Sequence, residues 1–223
     1  MIDVSTPSAP VEVGVVAPGS VADVAVSGAY AYVLGEGLDV IDVTVPSAPV
    51  EVGHVDTRGY ASAVAVSAGY AYLAGEGLSV IDASTPSALM EGGSFATASA
   101  VDVAVAGGYA YVAGYDLLSG EDGLRVIDLT APAVPAVAGS AGMAWATCVA
   151  VSGSYAYVFA GDALSVFDVS TPSTPAKVGS AVLGGSLVQA EAVDGGHAYA
   201  VAGECSGSAE CHSDLTVIDV RTP

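Results

Sequence analysis

The chain has 223 residues, 52% of them hydrophobic, and a formal net charge of −20 from 24 acidic and four basic side chains. That balance excludes nucleic acid and anionic membrane surfaces as partners, since phosphate binding needs clustered Lys and Arg; it leaves cationic partners or a solvated acidic surface. Apolar runs fall short of the roughly 18 to 20 residues of a membrane helix, so no membrane insertion is expected, and the first residues lack the basic and apolar regions of a secretory signal.

The chain opens on IDVSTPSAPVEVG, which reads as the end of a strand, a proline turn and a short second strand. From Asp23 a full set of four strand signals follows. DVAVS alternates, and Tyr30-Ala31-Tyr32 places both tyrosines on one face and the alanine on the other. LDVIDV begins at Leu38, and VEVGHV begins at Val50, after Pro46 and Pro49. Ser-Gly and Gly-Gly pairs separate the first two runs, and Gly-Glu-Gly separates the second from the third at Gly35 and Gly75, which suits tight hairpins. Proline between the third and fourth runs removes a ladder donor, so those segments read as turns beside an outer strand. No helical periodicity is present.

The set recurs along the chain. The second tyrosine of each unit is Tyr32, Tyr72, Tyr111, Tyr157 and Tyr199, at spacings of 40, 39, 46 and 42 residues. A fixed period in this range signals a solenoid, an array or a propeller. Four antiparallel strands per period is the unit of a β-propeller, whose flat sheets bury both faces by stacking around an axis. The motifs GLDVIDVTVPSAPVEVG from Gly37 and DVAVSGAYAYV from Asp23 resemble those of the LVIVD-repeat propellers of bacteria and archaea. That resemblance implies a propeller and an extracellular or cell-surface setting, and it implies no single activity. Insertions at Tyr115 to Glu121 and Glu204 to Ser213 depart from the short hairpins of the other copies.

The expected fold is therefore all-β, a five-bladed β-propeller of four-stranded antiparallel blades. The last unit supplies three runs and the N-terminus supplies a fourth, so the N-terminal strand is expected to complete the C-terminal blade and close the ring. One propeller domain then spans residues 1–223, with blades at residues 20–58, 59–98, 99–144, 145–186, and 187–223 plus 8–17. Ile2 to Val4 and Val217 to Val220 compete for one strand position, and the C-terminal copy is expected to win because its hairpin partner is local. A closed ring predicts a monomer; the alternative, a piece of a longer propeller, would leave strand edges that associate.

Repeated residues are read as structural. Asp3, Asp42, Asp82, Asp128, Asp168 and Asp219 recur just before the proline turn, where an aspartate bonds nearby backbone N–H groups. The tyrosines are read as packing between blades. A second acidic set is the candidate ligand-binding surface: Glu36, Glu76, Asp122, Asp162 and Asp214 in the hairpins between the second and third runs, with Asp23 and Asp102 opening the first run. All are expected at one end of the axis, beside Tyr60 and Trp145, the latter being the only tryptophan. Exposed aromatics beside carboxylates suit a protein or glycan partner. Cys205 and Cys211 are a candidate disulfide closing a local loop. No metal site or cofactor is assigned, and no catalytic residue, because nucleophile and phosphate-loop motifs are missing. The functional expectation is a non-enzymatic module presenting an interaction surface. The alternative is a carbohydrate-binding or hydrolytic propeller with carboxylates near the axis, Glu191 among them.

Overall fold

A computed structural model describes residues 1–17, 19–57, 59–97, 99–115, 123–183, 188–206 and 210–221. Among them every regular element is a strand, as the alternating pattern predicts. The order begins with a hairpin of β1 (Ile2–Asp3) and β2 (Val11–Glu12). Blade one is β3 (Asp23–Ser27), β4 (Tyr30–Leu34), β5 (Gly37–Asp42) and β6 (Val50–Asp56). Blade two is β7 (Ala61–Ser67), β8 (Tyr70–Gly75), β9 (Leu78–Asp82) and β10 (Met90–Phe95). Blade three is β11 (Ser99–Ala106), β12 (Tyr109–Tyr115), β13 (Gly123–Asp128) and β14 (Ala136–Gly142). Blade four is β15 (Ala146–Ser152), β16 (Tyr155–Ala160), β17 (Ala163–Asp168) and β18 (Ala176–Val182). The last blade has β19 (Val188–Asp194), β20 (His197–Ser206) and β21 (Glu210–Asp219). In each sheet the strands pair antiparallel in chain order. The first strands of successive blades pack side by side, β3 on β7, β7 on β11, β11 on β15 and β15 on β19. Those strands are therefore the inner ones.

The turn chemistry appears where the sequence placed it. Between β11 and β12, Gly107 and Gly108 have φ of 59° and 81°, the left-handed pair that matches the twist of a two-residue hairpin. All six repeated aspartates accept a hydrogen bond from the backbone N–H two residues on, from Asp3 with Ser5 at 2.8 Å to Asp219 with Arg221 at 3.1 Å. At Asp42 the Thr44 hydroxyl, with its N–H, holds the carboxyl below its usual range.

The core lies between blades. Tyr32, Leu34, Leu38 and Val40 of blade one pack against Val64, Ala71, Leu73 and Ile81 of blade two, and the same positions recur at the next two junctions. At the fourth, Phe159, Leu164 and Val166 meet Ala198, Ala200 and Val220. The period-two alternation puts the second tyrosine of the pair inside: Tyr32, Tyr72, Tyr111 and Tyr157 are 3–4% exposed. Burial pushes the phenols of these four tyrosines up.

Closure of the ring by β2 on β21 is not among the strand pairings of the described residues. β2 pairs with β1, in the register Ile2 with Glu12 and Asp3 with Val11. β21 pairs with β20, Tyr199 facing Val217. Both copies of the third strand form because each has a local hairpin partner, and short loops cost the least entropy to close. The N-terminal hairpin packs as the outer half of a blade preceding blade one: Gly14 lies under the Pro46 carbonyl, as Gly53 lies under that of Pro86.

Candidate functional site

The hairpins between second and third strands meet the connections between blades at one end of the molecule. The Thr57 hydroxyl lies 3.5 Å from the Glu36 carbonyl as a donor, and the Leu183 N–H donates to the Asp162 carbonyl at 2.7 Å. The side chains of Glu36, Glu76 and Asp162 are exposed at these tips. Tyr60 and Trp145, at equivalent places in two connections, are 74% and 68% exposed. Asp122 lies outside the described residues, as do the side chains of Asp214 and Glu191.

Tyr60 and Glu76 are brought together. Both line a 230 Å³ cleft at the edge of blade two, beside the connection from blade one, with Thr57, Leu78, Glu91 and Phe95. Comparison with the connections into blades two and three explains Trp145. In blades two and three a glycine, Gly75 or Gly114, pairs with the residue after the connection, and the connection's own carbonyl occupies the space a Cβ would need. Blade four has Ala160 there, paired with Ala146. Its Cβ denies the carbonyl that space, and Trp145 turns to φ 60°, a conformation side chains rarely adopt.

Asp23 and Asp102 have a role that their spacing did not announce. Asp23 accepts from its neighbour Val24 N–H at 2.7 Å and, across the junction, from Val64 N–H of blade two at 2.8 Å. Asp102 accepts from Val103 N–H at 2.8 Å and from Val149 N–H of blade four at 2.6 Å. Each carboxylate thus ties its blade to the next. Blade two has Ala63 at this register position, and the Ser62 hydroxyl beside it donates to the Val101 carbonyl of blade three at 2.6 Å. Asp102→Asn leaves one acceptor oxygen for the Val103 and Val149 N–H groups and strands one of the two donors. It is expected to lower stability by about 1–3 kcal/mol in urea unfolding.

A cluster in blade one escaped the sequence reading. Asp39 and His54 are directly opposite across β5 and β6, and His54 Nδ1 lies 2.6 Å from Asp39 Oδ1. His54 Nε2 lies 3.2 Å from Asp56 Oδ1. Asp39 and His54 edge a groove of 450 Å³ that also takes in Ser20, Glu36 and Glu51. The available signal was departure from the repeat: the matching pair is Ser79 with Ser94 in blade two and Ser165 with Ser180 in blade four. The hydrogen bond to Asp39, then that to Asp56, raises the His54 pKa above its ordinary 6.5. A raised native pKa stabilises the fold fully below the unfolded value and loses that stabilisation as pH rises through the native one. The urea midpoint of the wild type is expected to fall, relative to His54→Gln, as pH is raised from about 6.5 through the native pKa.

Among the described residues no group of three His, Cys, Asp or Glu side chains is arranged to hold a metal ion. Cys148 is buried, 7% exposed, between the last two blades. The backbone register sets Cys205 directly opposite Cys211 in the extended hairpin of β20 and β21; their side chains lie outside the described residues.

Four-stranded antiparallel sheets joined by one repeated junction define a repeat β-propeller. The LVIVD repeat profile matches residues 1–17, 18–57, 58–97, 98–142 and 141–182, and the chain belongs to the LVIVD repeat family. No curated protein matches the sequence. Among solved structures, a putative 6-phosphogluconolactonase from Bacteroides uniformis is similar at a TM-score of 0.75 and 13% identity, over 96% of this chain and 71% of that one. A protein of unknown function from Desulfotomaculum acetoxidans is similar at 0.69 and 16% identity, over 82% of this chain and 65% of that one. The β-propeller domain of Cps50 (Swd1) from Myceliophteria thermophila follows at 0.63 and 14%, over 84% and 64%. The chain thus spans less than two thirds of the last two. At these identities the likeness is one of fold.

Proposed function

We propose that the protein is a non-enzymatic binding module of the cell surface or the secreted space. In this reading it takes a cationic protein segment at the end that carries Tyr60, Glu76 and Trp145. The observation that carries the reading is Tyr60, 74% exposed at the mouth of a cleft it shares with Glu76. A tyrosine offers a large contact area at small conformational cost, and a carboxylate beside it favours Lys or Arg. The net charge of −20 adds long-range attraction for such a partner.

An oligolysine peptide interleaved with tyrosine is the probe, and Trp145 fluorescence together with calorimetry is the readout. Binding is expected to weaken with salt. Tyr60→Ala is expected to weaken it by roughly tenfold, about 1.4 kcal/mol, and Glu76→Gln to flatten its salt dependence. Equal binding by both variants, or none by the wild type, overturns the reading. Selective binding to a glycan array in place of the peptide would move the assignment to the carbohydrate-binding alternative.

A further inference from the structure

The two ends of the row of blades carry complementary surfaces. Each of the first three internal junctions sets a forward face, with a leucine and a valine of the third strand, against a rear face with a valine of the first strand. Leu38 and Val40 thus share a buried cluster with Val64, and Leu78 and Val80 share one with Val103. The outermost copies of these positions are uncovered. On the rear face of blade one Val24 is 55% exposed, whereas its equivalents Val64, Val103 and Val149 are 6%, 5% and 3% exposed; Val26 is 68% exposed, whereas Val66, Val105 and Val151 are half-buried. On the forward face of the last blade Leu215 and Val217 are 65% and 53% exposed, whereas Leu38 and Val40 are 0% exposed. The N-terminal hairpin covers only the outer part of the rear face, where Val33 and Ile41 are 8% and 1% exposed.

We propose that these two faces are the halves of one heterologous interface, filled by a second copy of the chain whose last blade seats on blade one. The occupant follows from continuity: the missing contact is the one the chain already makes between its own blades, with the same residue types, and the incoming β21 takes the third-strand position by displacing the two-residue β1. Such an interface leaves one face free at each end, so association continues beyond the dimer. Each copy carries a net charge of −20, so salt strengthens the association by screening repulsion between copies.

The test is sedimentation velocity of the full chain across a concentration series, at low and high salt, with Val26→Glu at one end and Leu215→Glu at the other. The wild type is expected to populate oligomers that grow with concentration and with salt. Each variant alone is expected to associate at least about tenfold more weakly, since it buries an unpaired carboxylate. Mixed, the two variants are expected to form dimers and nothing larger, because each retains the face the other has lost. Both positions are exposed, so an unchanged circular dichroism spectrum and urea midpoint certify the fold. A wild type that stays monomeric at every concentration, which is the signature of a ring closed on itself, overturns the proposal. So does a mixture that fails to dimerise.

Discussion

Phe159→Ala is expected to lower the stability of the chain by about 3–5 kcal/mol, the largest effect of any single truncation considered. Phe159 is fully buried and packs where blade four meets Ala198, Ala200 and Val220 of the last blade. The alanines opposite are small because the ring fills the space between the sheets. Removing the ring leaves a void lined by residues with nothing to move in, so the lost transfer energy and the cavity cost add. Val182, 77% exposed, is the control: Val182→Ala is expected to stay within about 0.5 kcal/mol of wild type. Urea midpoints of the three proteins check both values. Equal midpoints for Phe159→Ala and wild type would mean that the last blade does not pack on the fourth.

Gly53→Ala is the second large effect, expected to cost about 1–3 kcal/mol as overpacking. A Cβ on Gly53 would lie closer than 3.0 Å to the Pro86 carbonyl oxygen of the next blade. Both are backbone, so neither can give way by changing rotamer, and the blades must separate. The same contact recurs between Gly93 and Pro132 and between Gly139 and Pro172. Gly142→Ala meets nothing within 4 Å, and it is expected to be neutral or to stabilise by up to about 1 kcal/mol through the unfolded chain. Thermal unfolding of the pair separates a packing requirement from a general intolerance of alanine for glycine.

These glycines show why the fold was so legible. A glycine in the fourth run recurs at Gly53, Gly93, Gly139 and Gly179 without any local reason, since a strand interior gains nothing from glycine. Its reason lies one blade away, in the proline turn that packs over it. Repetition revealed the residue, and packing explained it. The aspartates before the proline turns were readable in full, because an aspartate bonding the N–H two residues on needs only local geometry. Asp23 and Asp102 were not. Their partners, Val64 and Val149, lie 41 and 47 residues away, and nothing local separates an acid that clamps a junction from one that faces solvent. His54 and Asp39 were missed for a related reason: each sits at an ordinary strand position, and only the register of β5 on β6 makes them neighbours.

The sequence by itself determined the strand order, the four-stranded unit, the turn residues and the inward face of each strand, because a side-chain period of two and a repeat of roughly 42 residues are properties of the chain alone. The tertiary structure decided which acids are clamps and which are tips. It decided that Ala160, in place of a glycine, turns Trp145 to a left-handed backbone. It also decided that β1 and β21 both form. Those outcomes depend on which backbone N–H or carbonyl the neighbouring blade brings within a few ångströms, and that distance is written in no single segment.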